Sequence, residues 1–325
     1  MTGVCMKRIA LLTSGGDCPG MNAAIRSVVR TALSLNLEVY GIEQGYKGLI
    51  ENKLIKMDSK SVANIIQRGG TILRSARSET FKTVEGQQMA VNVLKENKID
   101  GLIVIGGDGS LTGAKKLYDD FKINVVGLPG SIDNDIYGTD MAIGVDTALN
   151  TILKCIDTIN DTASSHDRTF LIEVMGRNCG YLALMSAIAG GAEAVMIPEV
   201  AYDIEGIIKK IKKRYEEGKT RSVIVVAEGV GSAYDFGKVF GMIGGFDTRI
   251  TVLGHIQRGG SPTVFDRILA TRLGTAAVEA LMEGKSGVMM GLQKTRIEAV
   301  PFDEVLGNKK LIDKKLLEIA EVLSR

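Results

Sequence analysis

Short, continuously apolar runs recur along this chain, and each of them ends in glycine or in polar residues. They span residues 8–17, 101–110, 123–135, 169–177, 194–199 and 222–229. Such runs are typical of strands buried on both faces, because helices cover both sides of a parallel sheet. The pattern therefore predicts a series of buried strands.

Between these runs, the apolar residues follow a helical period. After Pro19 they recur at intervals of three and four, at Met21, Ala24, Ile25, Val28, Val29, Ala32 and Leu33. This spacing places them along one face of a helix. Strands that alternate with helices predict an α/β fold with mostly parallel sheets.

Polar loops follow the predicted strands, with the sequences GGD, GGDGS, PGSIDND, MGR and AEG. In open α/β sheets, ligands bind beyond the carboxyl ends of the strands. Several such loops in one chain indicate a large polar ligand, or two ligands that meet. Because a second series of strands begins at about residue 169, we place a domain boundary near residue 140.

Composition and charge exclude few classes of function. The 325 residues are enough for one large or two ordinary domains, and 45% hydrophobic with 24% charged residues is typical of a globular protein. A net charge of +2 and only 5% aromatic residues give little support to a nucleic-acid surface. No run of about 20 apolar residues, the length that crosses a membrane, is present. We expect neither nucleic acid nor a membrane as a partner.

The four cysteines are scattered along the chain, at positions 5, 18, 155 and 179. No two of them have the CxxC spacing of a structural zinc site. Single cysteines are typical of a reducing cytosol, and the start of the sequence lacks the apolar core of a signal peptide. We therefore expect a cytoplasmic protein.

Two glycine-rich turns are candidate phosphate sites. Residues 13–26, TSGGDCPGMNAAIR, predict a strand, a Gly-Gly turn and a helix, and a helix N-terminus attracts anions. Residues 106–110, GGDGS, repeat the arrangement with an acid, so that Asp108 is placed to hold Mg²⁺ on a nucleotide and Ser110 to cap the next helix. Plain strand-to-helix turns also use glycine, and GGDGS alone occurs in kinases that act on dinucleotides and lipids.

The segment PGSIDND places Asp133 and Asp135 two positions apart. In an extended segment their side chains face the same way. One would then act as a general base on an attacking hydroxyl, and the other would lie near a metal that offsets its charge. An Asp-rich turn is the plainer alternative.

Cationic residues stand beside several of these loops. Arg177 follows a predicted strand, where an arginine can stabilise the charge of a transferring phosphoryl group. A phosphate monoester would suit a second set, Arg168, Arg249, His255 and Arg258. Surface arginines and a structural histidine are the alternatives.

Together these motifs resemble the bacterial-type 6-phosphofructokinase family, from about residue 7 to about residue 293. TSGGD, GGDGS, PG-IDND, MGR and GHIQRGGSP occur in the order and at the spacing of that family. The resemblance implies two doubly wound α/β domains with the active site in the cleft between them. Residues 1–140 with about 256–305 would bind ATP, and residues 141–255 with about 306–325 would bind fructose 6-phosphate.

The activity implied by the resemblance is phosphoryl transfer from Mg-ATP to the 1-hydroxyl of fructose 6-phosphate, the committed step of glycolysis. Asp133 would be the base, Arg177 would stabilise the transferring group, and Ser131 and Asp135 would support that group and the metal. Mg²⁺ would be bound by Asp108. The residues that would hold ATP are Gly16, Arg77, Ser78, Gly107, Asp108, Gly109 and Ser110.

The resemblance also implies a sugar site shared between the subunits of a homotetramer. Met175 and Glu228 would contact the sugar, and Arg168 and Arg249 would reach the 6-phosphate from a neighbouring subunit. The full set implied for this substrate is Ser131, Ile132, Asp133, Arg168, Met175, Gly176, Arg177, Glu228, Arg249, His255, Ile256, Gln257 and Arg258.

Three positions bear on how closely the chain follows the family. Relatives that use pyrophosphate typically carry Asp at the position of Gly109 and Lys at that of Gly130, so the two glycines favour ATP as the donor. Ser131 stands where the family usually has Thr, which keeps the hydroxyl, and we expect near-normal chemistry. A pyrophosphate-dependent enzyme is the nearest alternative, ahead of another GGDGS kinase and of a sugar-phosphate sensor without activity.

The family's effector site is matched less well. Residues that match it are Arg26, Arg30, Gly191, Glu193, Lys219 and Arg221. Arg26 and Arg30 lie four residues apart on one helix face, where a bound anion or solvent would relieve their repulsion. Ser59 and Asn160, however, stand where arginines are usual, and Thr220 further weakens the cationic run.

We therefore expect a poor or altered response to ADP and phosphoenolpyruvate, because arginines that bind phosphate in a bidentate manner are missing. The measurement is the KM for fructose 6-phosphate with and without ADP. Strong activation by ADP at sub-millimolar concentrations would contradict this expectation.

Overall fold

The chain forms two compact units in this computed structural model, which describes residues 6–163, 168–218 and 221–323. Unit 1 comprises residues 1–131, 136–147 and 258–310. Unit 2 comprises residues 132–135, 148–257 and 311–325. Neither unit is one continuous stretch of chain.

The strands form one sheet in each unit. In chain order they are β1 (Arg8–Ser14), β2 (Glu38–Ile42), β3 (Leu54–Met57), β4 (Gly101–Gly106), β5 (Val125–Pro129), β6 (Thr169–Val174), β7 (Ala194–Met196), β8 (Ser222–Ala227), β9 (Thr248–Val252), β10 (Val288–Gln293) and β11 (Arg296–Pro301). Unit 1 has the order β11-β10-β5-β4-β1-β2-β3, and unit 2 has the order β7-β8-β6-β9. Among the strands of the described residues, only β3 and β11 run antiparallel to their neighbours. The expected α/β fold with mostly parallel sheets is confirmed.

Helices connect the strands. They are α1 (Met21–Ser34), α2 (Gly45–Ile50), α3 (Val84–Glu96), α4 (Asp108–Phe121), α5 (Val145–Ala163), α6 (Tyr181–Gly190), α7 (Ile204–Glu216), α8 (Ala233–Val239), α9 (Val264–Met282), α10 (Phe302–Gly307) and α11 (Lys314–Leu323). In the described ranges, none of them combines the length and the apolar character needed to cross a membrane.

Each apolar run of the sequence contains a strand, and the central strands β1, β4 and β5 of unit 1 are buried almost throughout. The apolar face that begins at Met21 is the buried face of α1. This helix packs closely on α9, where a Cβ on Gly274 would lie 2.8 Å from the Cβ of Ser27. The Ser27 hydroxyl donates a hydrogen bond to the Thr271 carbonyl, 2.6 Å away. The core of unit 1 therefore consists of buried central strands covered by closely packed helices.

Candidate active site

The two glycine turns of unit 1 lie side by side. Strands β1 and β4 are parallel neighbours, with Ser14 opposite Gly106 at their carboxyl ends. A Cβ on Gly106 would lie 2.4 Å from the Ser14 carbonyl oxygen and 2.6 Å from Ser110 Oγ. Only glycine allows this approach. Gly15 follows with φ +83°, a conformation that glycine adopts without strain.

A third segment of the predicted ATP site lies against the first turn. The Ser75 hydroxyl donates to the Gly15 carbonyl at 2.8 Å, and the Thr13 hydroxyl donates to the Arg74 carbonyl at 2.8 Å. A cavity of about 210 Å³ opens beside Arg77, and its lining is Lys47, Ile50, Glu51, Arg77, Ser78, Glu79 and Thr80. The sequence motifs give no sign of the α2 residues in this lining.

Gly109 and Gly130, the two glycines that favour ATP over pyrophosphate in the sequence, have different surroundings. Gly109 has no atom within 4 Å of the position of a Cβ, so space is open at that point. Gly130 is buried, and its Cβ would lie 3.2 Å from Met21 Cε and 3.4 Å from Ile105 Cγ2. Gly109 thus leaves room for a bulky donor, whereas Gly130 also meets a packing requirement of the core.

Asp108 is the carboxylate of this region that suits a metal. It is exposed at the first residue of α4, next to the open space at Gly109. Within the described residues, no group of three or more His, Cys, Asp or Glu side chains is placed to hold a metal. One carboxylate fits a cation such as Mg²⁺ that keeps waters and takes further oxygen ligands from substrate phosphates.

The paired aspartates lie in unit 2, but not on an extended segment as predicted. Asn134 between them has φ +54°, a left-handed conformation that asparagine tolerates, so the backbone bends there. Asp133 is only 5% exposed, and its Oδ2 lies 3.6 Å from Nε of Arg177. The Arg177 side chain is 63% exposed. A buried carboxylate therefore meets an arginine that can still reach a ligand.

The MGR loop is held in an unusual backbone conformation. Gly176 has φ +138° and Arg177 has φ +51°, which costs about 1–2 kcal/mol for a residue with a Cβ. Oε1 of Glu228 accepts hydrogen bonds from the N–H of Arg177 at 2.8 Å and of Gly176 at 3.2 Å. Oε1 of Gln257 accepts one from the N–H of Met175 at 3.2 Å. These side chains fix the loop and thereby the position of Arg177.

Two arginines predicted for the 6-phosphate lie together at the amino ends of β6 and β9, at the opposite end of the strands from the MGR loop. Arg168 immediately precedes β6, and Arg249 lies near the start of the adjacent strand β9. The Asp247 carboxylate forms an ion pair with each of them. Its Oδ2 lies 2.9 Å from Nε of Arg168, and its Oδ1 lies 2.7 Å from Nη1 of Arg249. Arg177 lies beyond the opposite end of β6, roughly 20 Å away by strand length. Asp247 was not anticipated from the sequence.

The remaining predicted phosphate residues are divided between the units. His255 and Ile256 are exposed, and Gln257 is fully buried, in the turn that follows β9. Arg258, the next residue, belongs to unit 1, where its Nη1 would lie 3.1 Å from a Cβ on Gly16. Within unit 1, Arg258 thus contacts the first glycine turn, a neighbour that the sequence motif does not reveal.

The effector residues of unit 2 cluster near the amino ends of β7 and β8. Glu193 pairs with Arg214 at 2.8 Å, and its second oxygen accepts from the N–H of Val223 at 2.6 Å. The Arg221 guanidinium donates to the Asn160 carbonyl at 3.5 Å. Gly191 ends α6 nearby, whereas Arg26 and Arg30 lie on α1 of unit 1, and Lys219 falls outside the described residues. Glu193 is therefore engaged in an ion pair of its own unit.

The fold and these loops define a class of protein, an α/β protein with adjacent glycine turns in one unit and a buried carboxylate beside an arginine in the other. A family model for phosphofructokinase matches residues 8–281. The chain belongs to the phosphofructokinase family.

Individual relatives are similar over nearly the whole chain. The protein named ATP-dependent 6-phosphofructokinase of Halalkalibacterium halodurans is 56% identical over 319 residues, which cover 98% of this chain and 100% of that protein. The protein of the same name from Thermotoga neapolitana is 54% identical with the same coverage.

Solved structures share the fold. Phosphofructokinase from Saccharomyces cerevisiae is 37% identical with a TM-score of 0.87, covering 98% of this chain and 48% of that chain, so the present chain spans about half of it. The pyrophosphate-dependent phosphofructokinase from Marinobacter aquaeolei is 22% identical with a TM-score of 0.84, covering 95% of this chain and 86% of that one. At that identity the likeness concerns the fold alone.

Cys179 gives a test of the environment around the MGR loop. Burial raises the pKa of its thiol to about 11, and the Glu199, Asp135 and Asp133 carboxylates raise it too, although a backbone hydrogen bond from Tyr181 opposes them. Roughly one thiol in a thousand should then be ionised at pH 8. We expect iodoacetamide to label Cys179 very slowly at pH 8 and faster as the pH rises towards 10, as followed by peptide mass spectrometry.

The half-buried Cys155 serves as the internal control for this labelling, because its thiol is more accessible. Labelling in denaturant should make the two rates similar. Equal rates for both thiols in the folded protein at pH 8 would contradict the prediction.

Proposed function

We propose that this chain transfers the γ-phosphoryl group of ATP to the 1-hydroxyl of fructose 6-phosphate, giving ADP and fructose 1,6-bisphosphate. The observation that carries the proposal is the buried Asp133 carboxylate beside Arg177, in a family whose curated relatives are named ATP-dependent 6-phosphofructokinase. The reaction is the committed step of glycolysis.

Asp133 acts as the general base in this proposal. It takes the proton from the 1-hydroxyl as that oxygen attacks phosphorus, and positioned bases contribute about 10²–10⁴ to the rate. Arg177 lies against the same carboxylate and stabilises the negative charge of the transferring group. Glu228 holds the loop of Arg177 through two backbone hydrogen bonds. Ser131 and Asp135 flank the base and support the phosphoryl group and the metal.

Unit 1 binds ATP in this proposal, with the phosphates over the two glycine turns and the nucleotide beside Arg77 and Ser78. Backbone N–H groups at the start of a helix suit phosphate oxygens, and α4 begins at Asp108. Asp108 would hold Mg²⁺, which neutralises charge on the donor phosphates when it is bound. The open space at Gly109 supports a donor as large as ATP.

Unit 2 binds the sugar phosphate. The residues beyond the carboxyl ends of its strands, Met175, Gly176, Glu228 and His255, would contact the bound sugar phosphate. Arg168 and Arg249 stand near the amino ends of β6 and β9, so they serve the active site of a neighbouring subunit. The chain would therefore act as a homotetramer in the cytoplasm.

The β9 edge of the unit 2 sheet supports such an assembly. Strand β9 is the last strand of its sheet, so one edge has no partner strand among the described residues. Apolar side chains beside it are exposed, including Met242 at 79%, Tyr234 at 58% and Val252 at 43%. Unpaired edges with apolar neighbours are typical of surfaces that a second chain covers.

The function is tested by measuring ADP formation from Mg-ATP and fructose 6-phosphate, beside a parallel assay with pyrophosphate as the donor. We expect sugar-dependent turnover with ATP alone. Turnover with pyrophosphate would leave the fold and the base in place and contradict the choice of donor. A folded oligomer that turns over with neither donor would favour the sensor without activity.

Two variants, Asp133→Asn and Arg168→Ser, test whether each active site is built from residues of two subunits. Alone, the first variant should lose about 10²–10⁴ in kcat, since it lacks the base. The second should have a raised KM for fructose 6-phosphate. Subunits of both variants, mixed equally, reassembled and assayed at a fructose 6-phosphate concentration well below the raised KM, should regain about a quarter of wild-type activity, because half the subunits keep the base and half of their neighbours keep the arginine.

Glu283→Gln, an exposed glutamate that follows α9 in unit 1, is the control for the single variants. Unmixed variants taken through the same reassembly give the baseline. If the mixture shows only the sum of the two separate activities, Arg168 does not act across subunits.

A further inference from the structure

Residues Gly45 and Tyr46, at the start of α2, lie where three segments of the nucleotide site meet. A Cβ on Gly45 would stand 2.8 Å from the Thr13 carbonyl oxygen and 3.5 Å from the Ser14 Cα. The start of α2 therefore packs against the end of β1, just before the first glycine turn.

Tyr46 contacts the second glycine turn directly. Its hydroxyl donates a hydrogen bond of 2.7 Å to the carbonyl oxygen of Ser110, in the first turn of α4. One turn further along α4, a Cβ on Gly113 would lie 2.9 Å from the Tyr46 ring. Glycine at that position lets α4 approach the phenol end of Tyr46, so the same end of the side chain contacts α4 at both Ser110 and Gly113.

The same ring contacts the third segment. Tyr46 stacks on Phe81 with 3.9 Å between the ring centroids and 13° between their planes. The N–H of Phe81 in turn donates to Ser78 Oγ at 3.2 Å. Ser78 lines the cavity beside Arg77. One side chain thus links the segment around residue 78 to the GGDGS turn.

Tyr46 is built into the core and does not face the cavity. It is 5% exposed, and it is absent from the cavity lining, although Lys47 beside it is present. Burial raises the pKa of its hydroxyl above the usual value, so the group is a protonated donor at neutral pH. A buried donor with one strong acceptor is a fixed connection between the two elements that it joins.

We infer that Tyr46 is a positioning residue for the nucleotide: it sets the GGDGS turn and the segment of Arg77 and Ser78 in the relative placement that binds ATP. The inference rests on the proposed function, because it assigns the three segments to one nucleotide. Its effect is confined to unit 1, so it concerns ATP and not the sugar.

The test is Tyr46→Phe, which keeps the stacked ring and removes only the hydroxyl. Losing one buried hydrogen bond should weaken nucleotide binding by about threefold to tenfold. We expect the KM for ATP, and the Kd for Mg-ADP measured by calorimetry without sugar, to rise by that factor. The KM for fructose 6-phosphate should stay within about twofold of wild type.

Tyr40→Phe is the matched control. This tyrosine belongs to the same unit, and its hydroxyl donates to Glu38 at 3.2 Å, away from the three segments. Phe81→Leu is a second variant that removes the stacking instead of the hydrogen bond, and it should raise the same two nucleotide constants.

Nucleotide constants for Tyr46→Phe that match those of Tyr40→Phe would overturn the inference. So would an equal rise in the KM of both substrates, which indicates a general loss of structure. Failure of the proposed function gives a different result, since wild-type protein would then show no sugar-dependent ADP formation while its Mg-ADP affinity could still be compared with that of the variants.

Discussion

The close approach of two parallel strand ends is the constraint on which the nucleotide unit depends. Strands β1 and β4 leave no room for a side chain at Gly106, which stands against the Ser14 carbonyl and Ser110. Because of that contact, the glycine turns that follow β1 and β4 lie side by side at the carboxyl ends of these strands. Helix α1 follows the first of these turns and begins at Met21, and helix α4 follows the second and begins at Asp108.

Unit 2 depends on a different interaction, the contact between the Asp133 carboxylate and the Arg177 guanidinium. Asp133 is buried and Arg177 is exposed, so the carboxylate is shielded from solvent while the guanidinium remains accessible to a ligand. The left-handed backbone of Gly176 and Arg177 is held in place by Glu228 and Gln257. Local strain of this kind persists only where neighbouring contacts fix it.

Much of this architecture could be predicted from the sequence, since the buried strands are continuous apolar runs. Strand β9 could not, because Thr248–Val252 is half exposed and has no such run. The extended arrangement expected around Asp133 was wrong, since the left-handed Asn134 is a local choice that apolar periodicity does not report. The contacts of Tyr46 and Asp247 could not be predicted from the sequence, because their partners Ser110 and Arg168 are 64 and 79 residues away along the chain.

The interleaving of the two units along the chain has a consequence for biosynthesis. Strands β10 and β11 complete the sheet of unit 1, yet they are translated after nearly all of unit 2. A nascent chain therefore exposes the unpaired edge of β5 until residues 288–293 have left the ribosome. Each unit is therefore encoded by several separate stretches of the gene, and no single uninterrupted segment carries either of them.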